Sequence, residues 1–276
     1  MSGISRRAMG EQSISPAKII TDLLEGKYFY GRWASHTPIV TGLDGYADPN
    51  LADTNINLVH FQGPFPMQAA QYLIGAKTNV GLYQDSANDW LEANPEPTTS
   101  EGVEYILGGM TTAANPFSNT IASNSARNRG NKLIRLLHQM ETDANIGEMA
   151  VGFRKAENTL SVIDNYDEMA CINIQYDTDA AYVRIETILN GDPTVTTETG
   201  LTLADDTDIL TEVRMAGGVP RFFVNGQEFR TSMVFDDGEV IVPFVHFLCN
   251  ASGTSEWRWK ELLVGDEMAI NESLQF

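Results

Sequence analysis

Four histidines, two cysteines and a few acidic turns are the residues whose chemistry would decide a catalytic or metal-binding role. His36, His60, His138 and His246 are scattered, without the short spacing that places two imidazoles on one metal ion. Asp205-Asp206-Thr207-Asp208 and Asp236-Asp237-Gly238-Glu239 carry oxygens suited to calcium, but neither has the spacing of a helix–loop–helix calcium loop. Both read as solvated turns. Gly108-Gly109 and Gly217-Gly218 lack any phosphate-loop context, so no nucleotide site is expected. Eliminative cleavage of a polysaccharide needs a Tyr or His base and an Arg or Gln to neutralise the uronate. His246, Arg184 and Arg221 are the candidates, yet His246 lies among apolar neighbours in VPFVHFL and reads as a core or sheet-face histidine. Trp257 and Trp259 share one face of the last apolar segment. Exposed, they would stack on a sugar; buried, they are core or subunit contact, and the second is the reading taken. Cys171 and Cys249 sit in apolar contexts and read as free buried thiols.

The elements that must position these residues are mainly strands. From Ile146 onward apolar and polar residues alternate: Met149–Phe153, Thr159–Ile163, Met169–Tyr176, Ala181–Leu189 and Ile209–Met215. Pro220–Val224, Asn225-Gly226 and Gln227–Arg230 spell a hairpin whose two-residue turn takes positive φ at both positions, with Phe223 and Phe229 expected to pack across to a second sheet. Glu239–Leu248 is a long apolar strand in which Pro243 predicts an edge or a bulge. Trp257–Val264 closes the series. Asn131–Met140 has helical spacing locally but falls where an earlier sandwich strand belongs, and is read as a strand. Lys27–Trp33 and Ile56–Phe61 also read as strands. Met67–Ile74 is ambiguous between strand and helix, and residues 87–101 read as a turn-rich connection. Ala17–Glu25 is expected to form a short helix behind Ser15-Pro16.

Composition excludes several classes. Lys and Arg number 18 against 37 Asp and Glu, a net charge of −19, which opposes nucleic acid and anionic lipid alike. No run of 18 apolar residues is present, so no membrane-spanning helix is expected. The N-terminal MSGISRRAMGEQSISPAK has basic residues with no apolar stretch behind them, so no standard export signal is expected.

The order MAVGF, MACINIQY, AYVRIETILNG, ILTEVRMAGGVPRFFVNGQEF, EVIVPFVHFLCNASG and WRWKELLVGDE resembles the concanavalin A-like lectin/glucanase sandwich, in the version found in virion proteins of tailed bacteriophages. The centre of the match is Gly217–Phe229, followed by Val242-Pro243-Phe244 and Trp257–Val264. The resemblance implies an all-β, concanavalin A-like antiparallel β-sandwich (jelly roll) with an N-terminal arm. It divides the chain into an arm at 1–26, a strand-and-loop region at 27–101 packed on or extending the sandwich, and the sandwich proper at 102–276. Retaining glycosidases of that superfamily carry two carboxylates on one strand. The nearest run here, Asp164-Asn165-Tyr166-Asp167-Glu168, reads as a solvated acidic turn.

These readings converge on a non-enzymatic virion structural protein, a capsid decoration or head-surface subunit that binds the shell and neighbouring subunits. No catalytic, cofactor or metal residue is assigned. The expected partners are a capsid or other virion protein, further copies of the chain and a surface glycan, with neither nucleic acid nor membrane. The expected location is the virion, after synthesis in a host cytoplasm. Arg6 and Arg7 are assigned to contacts between subunits, through the arm. Two alternatives stay open: a lectin-like carbohydrate-binding module or fibre component, and a polysaccharide-cleaving enzyme.

Overall fold

The computed structural model describes residues 28–32, 56–61, 67–74, 81–85, 90–94, 101–108, 117–121, 131–249 and 257–266. The expected helix at Ala17–Glu25 and the N-terminal arm lie outside them.

Among the described residues seventeen strands follow in chain order: β1 Tyr28–Arg32, β2 Ile56–Phe61, β3 Met67–Ile74, β4 Gly81–Asp85, β5 Trp90–Asn94, β6 Gly102–Leu107, β7 Asn119–Thr120, β8 Lys132–Met140 and β9 Ile146–Lys155. They continue with β10 Met169–Asp177, β11 Ala180–Ile188, β12 Val195–Leu203, β13 Ile209–Ala216, β14 Val219–Val224, β15 Gln227–Arg230, β16 Val240–Cys249 and β17 Trp257–Asp266. All pairings are antiparallel and make two sheets. One runs β15-β14-β13-β8-β17-β5-β4, with β1 also on β17; the other runs β12-β11-β10-β9-β16-β6-β3-β2, with β7 on β16. Face to face they form the concanavalin A-like jelly-roll sandwich expected from the sequence.

Alternation sends every second residue inward. Val103 and Tyr105, Val151 and Phe153, Ile172 and Ile174 are fully buried between the sheets. At the centre Trp257 and Trp259 meet edge to face at 4.9 Å between ring centroids. Trp257 Nε1–H donates to His138 Nδ1 at 3.0 Å, leaving His138 Nε2 to bond the Thr211 hydroxyl at 3.2 Å. Burial drives the His138 pKa down to about 3, so this imidazole stays neutral and structural. Both tryptophans are therefore core, as read from the sequence. Cys171 and Cys249 are free and buried.

Several local expectations change. Residues 132–140 are indeed strand, because β8 is held between β13 and β17. Met67–Ile74 is strand too, and Trp90–Asn94, expected as connection, is a strand on β17. Thr159–Ile163 is not a strand: this stretch leads into a 3-10 turn at Ile163–Asn165. Pro243 is at no edge. It pairs with Phe153 on one side, and on the other falls between the β7 pairing at Ile241 and the β6 pairing at Phe244, where no ladder hydrogen bond is needed. Asn225 and Gly226 do take positive φ, 48° and 82°. Register then puts Phe222 and Val224 in the core and turns Phe223 outward opposite Glu212, against the expected packing of Phe223 across the sandwich.

Candidate functional site

The outward face of the nine-stranded sheet carries the densest polar chemistry among the described residues. Antiparallel register aligns six side chains in one row across it: Tyr72 on β3, Glu104 on β6, His246 on β16, Asn173 on β10, Arg184 on β11 and Glu198 on β12. The small Ala150 on β9 stands between His246 and Asn173.

One half of this face is roofed. The segment from Ala156 to Glu168 folds back so that Ile163 and Tyr166 pack on Ile106, Cys171 and Phe244. Under that roof lies a buried ionic cluster. Arg154 Nε and Nη2 both donate to one Glu104 oxygen, at 3.1 and 2.9 Å, while Nη1 donates to the Lys155 and Glu157 carbonyls at 2.8 and 3.1 Å. The Tyr166 hydroxyl donates to Glu104 at 2.8 Å, and the Arg154 guanidinium lies 4.4 Å from the Tyr166 ring centre. His246 Nδ1 reaches the other Glu104 oxygen at 3.2 Å. Burial alone would raise the Glu104 pKa, but the Arg154 and His246 cations outweigh it and hold the carboxyl below its ordinary value. Burial likewise pulls His246 down, and hydrogen bonds to Glu104 and Glu148 reverse this and lift it to about 9. His246 is thus an imidazolium at neutral pH.

Beside this cluster the pairing is incomplete. His246 Nε2 pairs with Glu148 Oε2 at 3.3 Å. Asn173 Nδ2 donates to Glu186 at 2.7 Å. Asn173 Oδ1 is buried with no hydrogen-bond partner among the described residues. Burial raises Glu186 to about 7, with the neighbouring Glu148 charge adding to the rise.

The other half of the face is open. Arg184 Nη1 donates to Gln175 at 2.9 Å, and its Nε pairs with Glu198 at 3.0 Å. Its guanidinium lies 5.7 Å from the ring of Tyr182, whose hydroxyl donates to Asp179 at 2.8 Å. Gln175, Tyr182 and Arg184 are half-buried.

Of the sequence candidates, His246 and Arg184 share this row, while Arg221 is on the outward face of the other sheet. His138 is core, and His36 lies outside the described residues. The Asp164–Glu168 run is only partly a solvated turn, since Tyr166 and Glu168 are fully buried. Sequence reading passed over Glu104, Glu148, Arg154, Asn173 and Glu186. The available signal was a polar residue at an outward position of a strand that is otherwise apolar on both faces, as in CINIQ and VGFRK.

No family model matches the chain, and no curated protein matches it. Similar solved structures include the potassium-bound carbohydrate recognition domain of Emp46p, with TM-score 0.49 and 8% identity over 71% of this chain and 88% of that one. The β-glucanase of Bacillus licheniformis has TM-score 0.42 and 10% identity, covering 86% of this chain and 97% of that one. The PL7 alginate lyase AlyA1 of Zobellia galactanivorans has TM-score 0.40 and 17% identity, covering 84% and 95%. These likenesses concern the fold. The expectation of a capsid decoration or head-surface subunit is corrected: these three structures are a carbohydrate recognition domain, a glucanase and a lyase, and none of them is a capsid protein. The residues behind that expectation close a hairpin and fill a core, tasks any sandwich of this class must perform.

Proposed function

We propose that the chain is a lectin-like glycan-binding protein that takes its sugar on the outward face of the nine-stranded sheet and leaves it uncleaved. The observation that carries this reading is the buried Asn173 Oδ1, without a hydrogen-bond partner among the described residues, beside the His246–Glu148 ion pair. Leaving a buried polar group unpaired costs about 1–3 kcal/mol. A hydroxyl both accepts and donates, so a sugar hydroxyl can donate to this acceptor while its oxygen meets a neighbouring donor. The half-buried Tyr182, Gln175 and Arg184 supply a rim of one aromatic face and several polar atoms, the mixture that orients a small polar ligand. Glu104 is occupied by Arg154, Tyr166 and His246 and serves to hold the imidazolium in place.

Titration of the full chain against a broad oligosaccharide panel tests the reading. Binding is expected for at least one glycan, weakened in Arg184→Ala and Tyr182→Ala with the fold intact, and the sugar should be recovered whole. Absence of binding by the folded protein, or binding indifferent to both variants, would sink it. Release of reducing ends or unsaturated uronate, lost in Glu186→Gln or His246→Ala, would replace binding with cleavage.

A further inference from the structure

Among the described residues, the strands of the outward polar face carry three buried carboxylates, Glu104, Glu148 and Glu186. Two of them hold cations. Glu104 has Arg154 and His246, and Glu148 has His246. Arg184, the cation of the open half, is shared between Glu198 at 3.0 Å and Asp177 at 3.7 Å. Glu186 has a neutral partner instead, the Asn173 side-chain amide, whose Nδ2 donates to it at 2.7 Å. The oxygen of that same amide is the buried acceptor left without a hydrogen-bond partner. A carboxylate without a cation and an acceptor without a donor therefore stand side by side, and burial makes both costly.

Register places this pair at the edge of the roof. The row beneath the roof runs Ile106, Phe244, Gly152, Cys171, Glu186 and Thr196 from β6 to β12. Ile163 and Tyr166 cover Ile106, Phe244 and Cys171, and Glu186 is the next side chain along. Around it stand Asn173 and Cys171 on β10, Thr196 on β12, Arg184 two residues back on β11, Glu148 on β9 and Asp164 on the roof. Asp164 is fixed there by accepting the Thr194 hydroxyl at 2.6 Å. Burial first, then the Glu148 and Asp164 charges, raise the Glu186 pKa, and the Asn173 hydrogen bond and the Arg184 charge act against them. The corner is short of positive charge. Arg184 and Tyr182 precede Glu186 on the same outward lane of β11, so the Tyr182 ring stands about 14 Å along the strand from the acid.

We propose that the glycan taken on this face is an amino sugar with a free amine, whose ammonium group seats against Glu186 and Asn173 Oδ1 at the roof's edge while adjoining rings lie over Arg184 toward Tyr182. The inference rests on the glycan-binding reading and narrows it to one class of sugar. An ammonium has three donors and no acceptor, which suits a corner that offers acceptors. A hydroxyl would satisfy Asn173 Oδ1 but leave the Glu186 charge unmatched. An N-acetylated amine keeps a single donor and no charge. An acidic sugar is opposed, because Arg154, His246 and Arg184 are each held by carboxylates. Its own carboxylate would meet Glu148, Glu186 and Glu198 as like charge, the juxtaposition that rejects wrong partners.

Calorimetric titration of the full chain with sugars of one β-1,4-linked backbone tests this. The glucosamine trimer, its N-acetylated form and cellotriose differ only in the group at C2. The glucosamine trimer should bind roughly tenfold or more tightly than the other two. In Glu186→Gln, folded as judged by its melting temperature, that preference should disappear. The parent's affinity for the glucosamine trimer should also weaken from about pH 8 to about pH 6, because Glu186 titrates near 7 and a protonated carboxyl no longer draws a cation. The ligand only gains protons on that descent, so the weakening has to come from the protein. Equal or tighter binding of cellotriose or the N-acetylated trimer overturns the amino-sugar class while leaving the glycan site in place. Binding of none of the three overturns it too, and the broad oligosaccharide panel then decides the glycan reading separately. A preference retained in full by Glu186→Gln overturns the placement of the ammonium. Spermidine, a cation without hydroxyls, should not displace the trimer, and displacement at equal concentration overturns the sugar in favour of a plain amine.

Discussion

Glu186 is a buried carboxyl bonded by Asn173, and burial lifts its pKa from 4.5 to about 7. The native state therefore keeps a proton that the unfolded chain has released, and its stability falls as pH rises from 4.5 toward 7. Above 7 the loss is complete. Glu186→Gln removes the titration, so the variant should gain on the parent as pH rises from about 4 to about 8. Urea midpoints across that range check it, and a constant difference between variant and parent would refute it. His246 contributes separately. Its folded pKa of about 9 stands above the ordinary 6.5, so its stabilisation is complete below 6.5 and is lost as pH climbs through 9. It is present in both proteins and cancels in the comparison.

At the scale of elements, two glycines do different work. Gly226 has φ +82° with nothing within 4 Å of the place where a Cβ would stand, so its role is purely conformational. Gly226→Val should cost roughly 1–3 kcal/mol, and Gly226→Asn much less, because asparagine tolerates the left-handed region. Equal denaturation midpoints for the two variants would contradict this. Gly152 is a packing requirement: a Cβ there would stand 2.6 Å from the Cys171 Cα on β10, so Gly152→Ala must displace backbone in the middle of the sheet. Strand pairing also explains which elements could be read locally. The alternation of Met169–Tyr176 and the Asn-Gly turn needed no partner to be recognised. Asn131–Met140 needed one, because its spacing fits a helix and only its place between β13 and β17 makes it a strand. Val195–Leu203 is rich in threonine, with only Leu201 and Leu203 at its end packed against the core, and becomes a strand by pairing with β11.

For the whole molecule, a net charge of −19 means that folding concentrates like charge. Raising salt from about 0.01 M to about 0.15 M shortens the screening length from roughly 30 Å to roughly 8 Å. The melting temperature should rise over this range. A fall would mean that exposed pairs such as Lys155 with Asp167 and Glu239, or Arg258 with Asp206, outweigh the general repulsion.

Alternating strands, the Asn225-Gly226 turn, the buried thiols and the tryptophan core were determined by the sequence itself, since each depends on neighbours two or three residues away. The polar row and the acid at the edge of its roof were decided by tertiary structure alone. Glu104 and His246 are 142 residues apart in the chain and meet at 3.2 Å, and Glu186 reaches the roof's edge only through the register of β10 and β11. A one-residue slip in any of those pairings would send the side chains to the opposite face. Such constellations are set by long-range register, which no local pattern of residue types records.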